Sequence, residues 1–178
     1  MTQLKCMFDT NVFNRILDGI ISIEALQGCV DAYATHIQRD EIDKTRNPER
    51  RSALARIFRE FIKVSTPTDS FVIDTSRIGE ARIGGDRVVP TTSAVWDVSR
   101  WDEARWSTDV DLYPALKAEL DKRNNCKENN IQDALIAETS IKEDFVLVTD
   151  DSDLVSVTRK YGGKCLTVAE LKNRVNED

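Results

Sequence analysis

Three carboxylates fall within four positions, Asp150, Asp151 and Asp153, in the stretch LVTDDSDL at residues 147 to 154. Mutual repulsion disfavours such a cluster unless something cationic compensates it. A helix start accounts for part of it, because Asp and Ser cap helices and favour the positive end of the helix dipole. That explains one or two of the acids and leaves the third without a reason. Other carboxylates occupy comparable places. Asp9 follows the apolar run LKCMF, Glu41 stands beside Asp40 in a short helical segment, and Asp133 lies in the first turn of NNIQDALIAETSIK. Taken singly, Asp133 reads as a routine first-turn acid and Glu41 as a surface acid. Taken together, clustered carboxylates suit a hard divalent cation such as Mg²⁺ or Mn²⁺, which takes oxygen ligands. Such an ion can activate water and neutralise a scissile phosphate.

Histidine and thiol chemistry have little room. His36 is the only histidine in 178 residues, so one base would have to serve any Ser-His or Cys-His apparatus. A three-histidine zinc site within one chain is impossible. Cys6, Cys29, Cys126 and Cys165 are scattered without a C-x-x-C pair, and Cys6 and Cys165 read as small buried hydrophobes.

The elements that would carry the acids alternate between two periodicities. An apolar strand over about residues 4 to 8 leads into a helix from about Val12 to Asp18, with Gly19 as its stop. SIEALQGC reads as a short helix, DAYATHI as a short strand, and IQRDEIDKT as a helix containing Glu41. In NPERRSALARIFREFIKV, Asn47 suits a cap and Pro48 the first helical position. Leu54, Ile57, Phe58, Phe61 and Ile62 recur there at helical spacing. From about residue 67 to 110 the pattern weakens into an inserted, partly irregular segment. After it come the helix YPALKAELDKRNN, a helix capped by Asn129 or Asn130, and the strand FVLVT. A helix closed by Gly162 or Gly163, a strand KCLTV and a terminal helix with a Thr167–Glu170 capping box complete the chain. Strands alternating with helices give an α/β architecture with a mostly parallel sheet, here a single domain over residues 1 to 178. Ligands of such sheets collect beyond the carboxyl ends of the strands, where Asp9 and the late acid cluster both fall.

In order along the chain, MFDTNVF, THIQRDEI, NNIQDALIAETS and FVLVTDDSDL together resemble the PIN-domain family of metal-dependent nucleases. That family includes many toxins of toxin–antitoxin modules. Asp9, Thr10 and Asn11 match its first motif, Glu41 the second, Asp133 the third, and Thr149, Asp151 and Asp153 the fourth. The resemblance covers residues 4 to 45 and 125 to 170 and leaves out the middle. It implies an α/β/α sandwich and an endoribonuclease that hydrolyses phosphodiesters with Mg²⁺ or Mn²⁺. Asp9 and Asp151 would be direct ligands, with Asp133 and Asp153 completing the set or holding metal-bound water. Glu41 would orient that water or a second ion, and Thr10, Asn11 and Thr149 would set carboxylate orientation. Asp150 is an additional acid that competes with Asp151 for the ligand role, and the expected division leaves Asp150 to cap the following helix. RNA is the implied substrate, and an antitoxin protein and a homodimer are the partners to consider.

Three other features carry weaker expectations. His36 could touch a substrate phosphate or could be a core or cap histidine. Trp96, Trp101 and Trp106 recur every five residues. On a helix they would stand about 140° apart, so they form no single stripe and read as packing of the inserted segment or as a base-stacking surface. The stretch from Arg39 to Lys63 carries eight basic side chains against five acidic ones and could face RNA or only solvent.

A net charge of −6 opposes nonspecific grip on nucleic acid by the protein as a whole. With 40% hydrophobic and 31% charged residues, the composition is that of a folded chain. No apolar run approaches the roughly 20 residues of a membrane span. The start MTQLKCMFDT lacks the features of a signal peptide, so the expected location is the cytoplasm. Two functions from other classes compete with the nuclease. One is a catalytically silent scaffold of the same fold that binds RNA or protein. The other is a Mg²⁺-binding receiver domain, which expects an acid pair near its start and a late Lys after a strand; here the start has one Asp, and Lys164 has no matching context.

Overall fold

The computed structural model describes residues 3–62, 65–77, 79–81, 88–89 and 112–177. Strand β1 (Leu4–Phe8) runs directly into α1 (Thr10–Leu17), and α2 (Ile23–Leu26) precedes β2 (Val30–Tyr33). Then come α3 (His36–Asp43) and α4 (Pro48–Phe61), with β3 (Phe71–Val72) and β4 (Val88–Val89) in the middle of the chain. The C-terminal part adds α5 (Leu112–Asn124), α6 (Asn130–Lys142), β5 (Val146–Val148), α7 (Ser152–Lys160), β6 (Lys164–Leu166) and α8 (Val168–Glu177).

Four strands form one sheet in the order β2-β1-β5-β6, and every neighbour pair is parallel. Chain connections leave the two central strands in opposite directions, from β1 to β2 on one side and from β5 to β6 on the other. Beyond the carboxyl ends of β1 and β5 there is therefore a topological switch point, where open α/β sheets form their ligand crevice.

Side chains alternate across the sheet and feed two cores. Cys6, Phe8, Val146 and Val148 pack with α1, α4 and α8 through Val12, Phe13, Leu54, Phe58, Phe61 and Leu171. Edge-on contact of Phe8 with Phe61, centroids 5.0 Å apart, locks α4 to the sheet. Met7, Leu147 and Cys165 face the other way, onto Leu116, Leu120, Leu135, Ile136, Leu154 and Val157 of α5, α6 and α7. Both Cys6 and Cys165 are buried, as their apolar contexts predict.

Helix α1 starts at Thr10, two residues before the expected Val12, because the Asp9 carboxylate accepts from the Thr10 amide and caps it. Asn47 and Pro48 open α4 as expected, and Thr167 and Glu170 exchange the hydrogen bonds of a capping box. Of the two glycines after α7, Gly162 takes a positive φ of 86°. Gly163 has no room for a side chain, since a Cβ there would lie 2.5 Å from Thr158 Cγ2 and 2.7 Å from Ile141 Cγ1.

The middle segment is tied down where it is described. Ser65 bridges Ala34, Thr68 bridges Ala81, and β3 pairs with β4 in parallel. Lys142 on α6 ion-pairs with Asp69 and, at 3.0 Å, with the buried Glu138. The tryptophans Trp96, Trp101 and Trp106, and most of the expected insertion, lie outside the described residues. Among the described residues, no helix is long and apolar enough to cross a membrane.

Candidate active site

Asp9 emerges from β1 at the switch point and is 6% exposed. Its own amide donates to the Val148 carbonyl at 3.1 Å, extending the β1–β5 pairing by one residue. Oδ1 accepts from the Thr10 amide at 2.7 Å, and Oδ2 accepts from Asn11 Nδ2 at 2.5 Å and Thr149 Oγ1 at 2.6 Å. Thr149 follows β5, so the two central strands each supply part of this arrangement. Thr149 Oγ1 also accepts from Asn11 Nδ2 at 2.9 Å and from the Asp151 amide at 3.1 Å. Burial raises the Asp9 carboxyl above its ordinary range; the Thr149 and Thr10 hydrogen bonds oppose this, and the Asp151 and Asp150 charges add to it.

Glu41 reaches the same place from α3, where Thr10 Oγ1 donates to its Oε2. Burial raises its carboxyl too, the Thr10 hydrogen bond lowers it, and the Asp9 charge raises it further. Helix α3 is held in position by Gln38, which is fully buried. Its Oε1 accepts from the Thr35 amide at 2.9 Å, and its Nε2 donates to the Phe8 carbonyl at 2.9 Å. The helix bearing Glu41 is thus fastened to the residue just before Asp9.

Asp133 comes from the first turn of α6 and is 7% exposed. Its carboxyl is pushed up to about 8, first by burial and then by the charges of Asp9, Glu41 and Asp151, with Lys127 opposing. Hydrogen bonds through Thr10 and Thr149 tie the segments of Glu41 and Asp151 to Asp9, and the charges of these three acids act on Asp133, so four separate parts of the chain contribute. Asn129 Nδ2 donates to Asp133 Oδ2 at 2.9 Å. Asn129, one of the two residues expected there, stands at the cap position of α6, but its side chain makes no cap bond.

The acid cluster that ends β5 divides differently from the expectation. Asp151, not Asp150, caps α7, its Oδ1 accepting from the amides of Asp153 and Leu154 at 2.8 and 3.1 Å. Asp150 turns to Arg15, at 2.9 Å, and to the amide of Val168 at the start of α8, at 3.0 Å. A cap needs the residue whose side chain folds back over the first turn, and Asp150 is already engaged by α1 and α8. Asp153 is half-buried, and among the described contacts only its backbone amide meets the cluster, through Asp151.

His36 begins α3, five residues before Glu41, which puts it about 140° around the helix. It is buried, and Nε2 lies 3.4 Å from the Thr75 carbonyl. This is the core placement weighed for it above. Sequence reasoning missed Gln38 and the Asn129–Asp133 bond. The second had a signal in its i, i+4 spacing at the start of a helix.

The donor set is all oxygen, which suits a hard cation, and three of its carboxyls have raised affinity for protons that a cation would displace. Among the described residues, no three His, Cys, Asp or Glu side chains stand close enough to hold a metal ion as they are placed.

No known protein family matches the chain, and no curated protein matches it. Among solved structures, the chain is similar to the crystal structure of VapBC2 from Rickettsia felis bound to a DNA fragment from their promoter. That similarity has 15% identity and a TM-score of 0.48, over 92% of this chain and 98% of that one. It is also similar to FitAcB from Neisseria gonorrhoeae, with 14% identity and a TM-score of 0.37, over 90% of this chain and 96% of that one.

Proposed function

We propose that the protein is a Mg²⁺- or Mn²⁺-dependent nuclease that hydrolyses RNA phosphodiester bonds. The observation that carries this reading is the cluster of Asp9, Glu41, Asp133 and Asp151 at the switch point of a parallel sheet. Burial and neighbouring charge raise the affinity of Asp9, Glu41 and Asp133 for positive charge, which is costly unless a cation occupies the site. Their order along the chain is that of the PIN-like motifs.

Asp9 and Asp151 would hold the ion directly, with Asp133 and Asp153 completing the set and Glu41 orienting water or a second ion; the ion would supply Lewis acidity to a phosphate and a more acidic water. The protein's own groups do the rest. Asn11 and Thr149 fix the plane of the Asp9 carboxylate, and Thr10 fixes that of Glu41. The Asp133 carboxyl oxygen can hold or release a proton near neutral pH. Burial of Asp9 and Asp133 keeps water from screening the site.

Incubating purified protein with single-stranded RNA in Mn²⁺, and again in EDTA, tests the reading. Cleavage should require the metal and fall to background in Asp9→Asn, with the fold retained by circular dichroism. Metal-independent cleavage, or wild-type rates in Asp9→Asn, would sink it. Binding of RNA without cleavage would instead favour the catalytically silent module. If the nuclease serves as the toxin of a toxin–antitoxin pair, expression of the wild-type chain should arrest growth and Asp9→Asn should not.

A further inference from the structure

A phosphodiester strand approaching four carboxylates is repelled before it reaches them, so a nuclease of this kind needs fixed cations at the rim of its site. Most cations near the acids are already committed. Arg15 is paired with Asp150, Arg39 with Glu80, Arg77 with Asp40, and Arg50 with Asp18. Two members of the basic stretch that begins at Arg39, Arg39 itself and Arg50, are therefore spent within the protein. Two lysines are not. Lys44 is the C-cap of α3, three residues and about one turn beyond Glu41. Lys127 lies in the turn between α5 and α6, where its carbonyl accepts from the Asn130 amide at 3.1 Å. That same turn carries Asn129, whose side chain holds Asp133. Both lysines are exposed, and among the described residues neither makes an ion pair.

We infer that Lys44 and Lys127 are the phosphate contacts that seat a single-stranded nucleic acid across the acid site. They stand beside two different acids on two separate elements, so together they can hold backbone phosphates on either side of a scissile bond. Their charges also reach the cluster, since Lys44 opposes the rise of the Glu41 carboxyl and Lys127 that of Asp133. The helix dipole favours a cation at Lys44 for purely structural reasons, but it offers none for Lys127. This inference deepens the nuclease reading by naming how its site would meet the substrate.

Binding in EDTA separates the two claims, because cleavage cannot then occur. Fluorescent single-stranded RNA and DNA 12-mers are titrated at several salt concentrations into the wild type and the Lys44→Ala, Lys127→Ala double variant. A control double variant, Lys5→Ala with Lys164→Ala, loses the same charge at the amino ends of β1 and β6, away from the acids. The site variant should bind about tenfold more weakly, and each lysine should remove about 0.7 from the slope of log K against log salt. The control should resemble the wild type. Preference for one 12-mer would name the sugar the site accepts. Equal losses in the two double variants, or no binding by the wild type, would overturn the inference. Lysine-dependent binding without Mn²⁺-dependent cleavage would leave these contacts standing and remove the nuclease reading. Cleavage unaffected by the lysines would do the reverse.

Discussion

Thr149 Oγ1 donates to Asp9 Oδ2 across 2.6 Å, although 140 positions separate the two residues in the chain. The hydroxyl joins the ends of the two central strands and simultaneously accepts from Asn11 and Asp151. It is the point through which two of the four segments at the site are oriented.

Thr149→Val keeps the shape but removes the donor to Asp9 and the acceptor for two N–H groups. Metal-dependent cleavage should fall by about 10- to 100-fold, the usual effect of losing a group that orients a metal ligand. Thr149→Ser should retain most activity. Comparable rates in the Val and Ser variants would show that the hydroxyl orients nothing the reaction uses.

Asp133→Asn should change how stability depends on pH. A carboxyl raised in the folded state contributes stability that is fully present below its unfolded value of 3.8 and is lost as pH rises through about 8. The metal-free wild type should therefore lose stability between about pH 4 and pH 8. Asp133→Asn should flatten that decline and melt several degrees higher at pH 8.5, at about 2–4 °C per kcal/mol for a chain of this size. Asp9 and Glu41 shift in the same direction, so some slope should remain. Thermal melts in EDTA across this range decide it; parallel curves for the two proteins would contradict the burial of a charged Asp133.

The same protons should compete with a metal. Millimolar Mn²⁺ should raise the melting temperature of the wild type more at pH 8.5 than at pH 6, because the ion binds the deprotonated acids. An Asp9→Asn, Asp133→Asn double variant should show much smaller shifts at both values. Equal stabilisation of the two proteins would place the ion elsewhere.

Asp150 and Asp151 should separate cleanly. Asp150→Asn weakens a half-exposed ion pair with Arg15, worth about 0–1 kcal/mol, and should retain most cleavage. Asp151→Asn keeps a side-chain oxygen to cap α7 but loses the charge that reaches Asp9 and Asp133, and should abolish metal-dependent turnover. Rates at saturating Mn²⁺ test this. Activity kept in Asp151→Asn and lost in Asp150→Asn would reverse the roles.

Much of the fold was legible because it rests on local signals. Apolar runs marked β1 and β5, and Asn47–Pro48 and Thr167–Glu170 marked helix starts by their own side-chain chemistry. What was not legible depends on partners distant in sequence. Either Asp150 or Asp151 could cap α7 on local grounds, and it is Arg15 and the Val168 amide that draw Asp150 away. Gln38 looks like an ordinary polar helix residue until its bond to the Phe8 carbonyl, 30 positions earlier, is seen. Raised carboxyls are likewise a property of assembly, since burial and neighbouring charge exist only once the strands have met.

The sheet order β2-β1-β5-β6 gives the chain a seam. Both strands on one side of the β1–β5 junction come from the first part of the chain, and both strands on the other side come from the last part. A break anywhere between β4 and α5 would leave two pieces, one holding Asp9 and Glu41 and the other Asp133 and Asp151. Neither piece alone would carry more than half of the acids, and each would present an unpaired central strand to the other. The protein is thus a candidate for splitting into two separately expressed fragments whose activity would return only on reassociation.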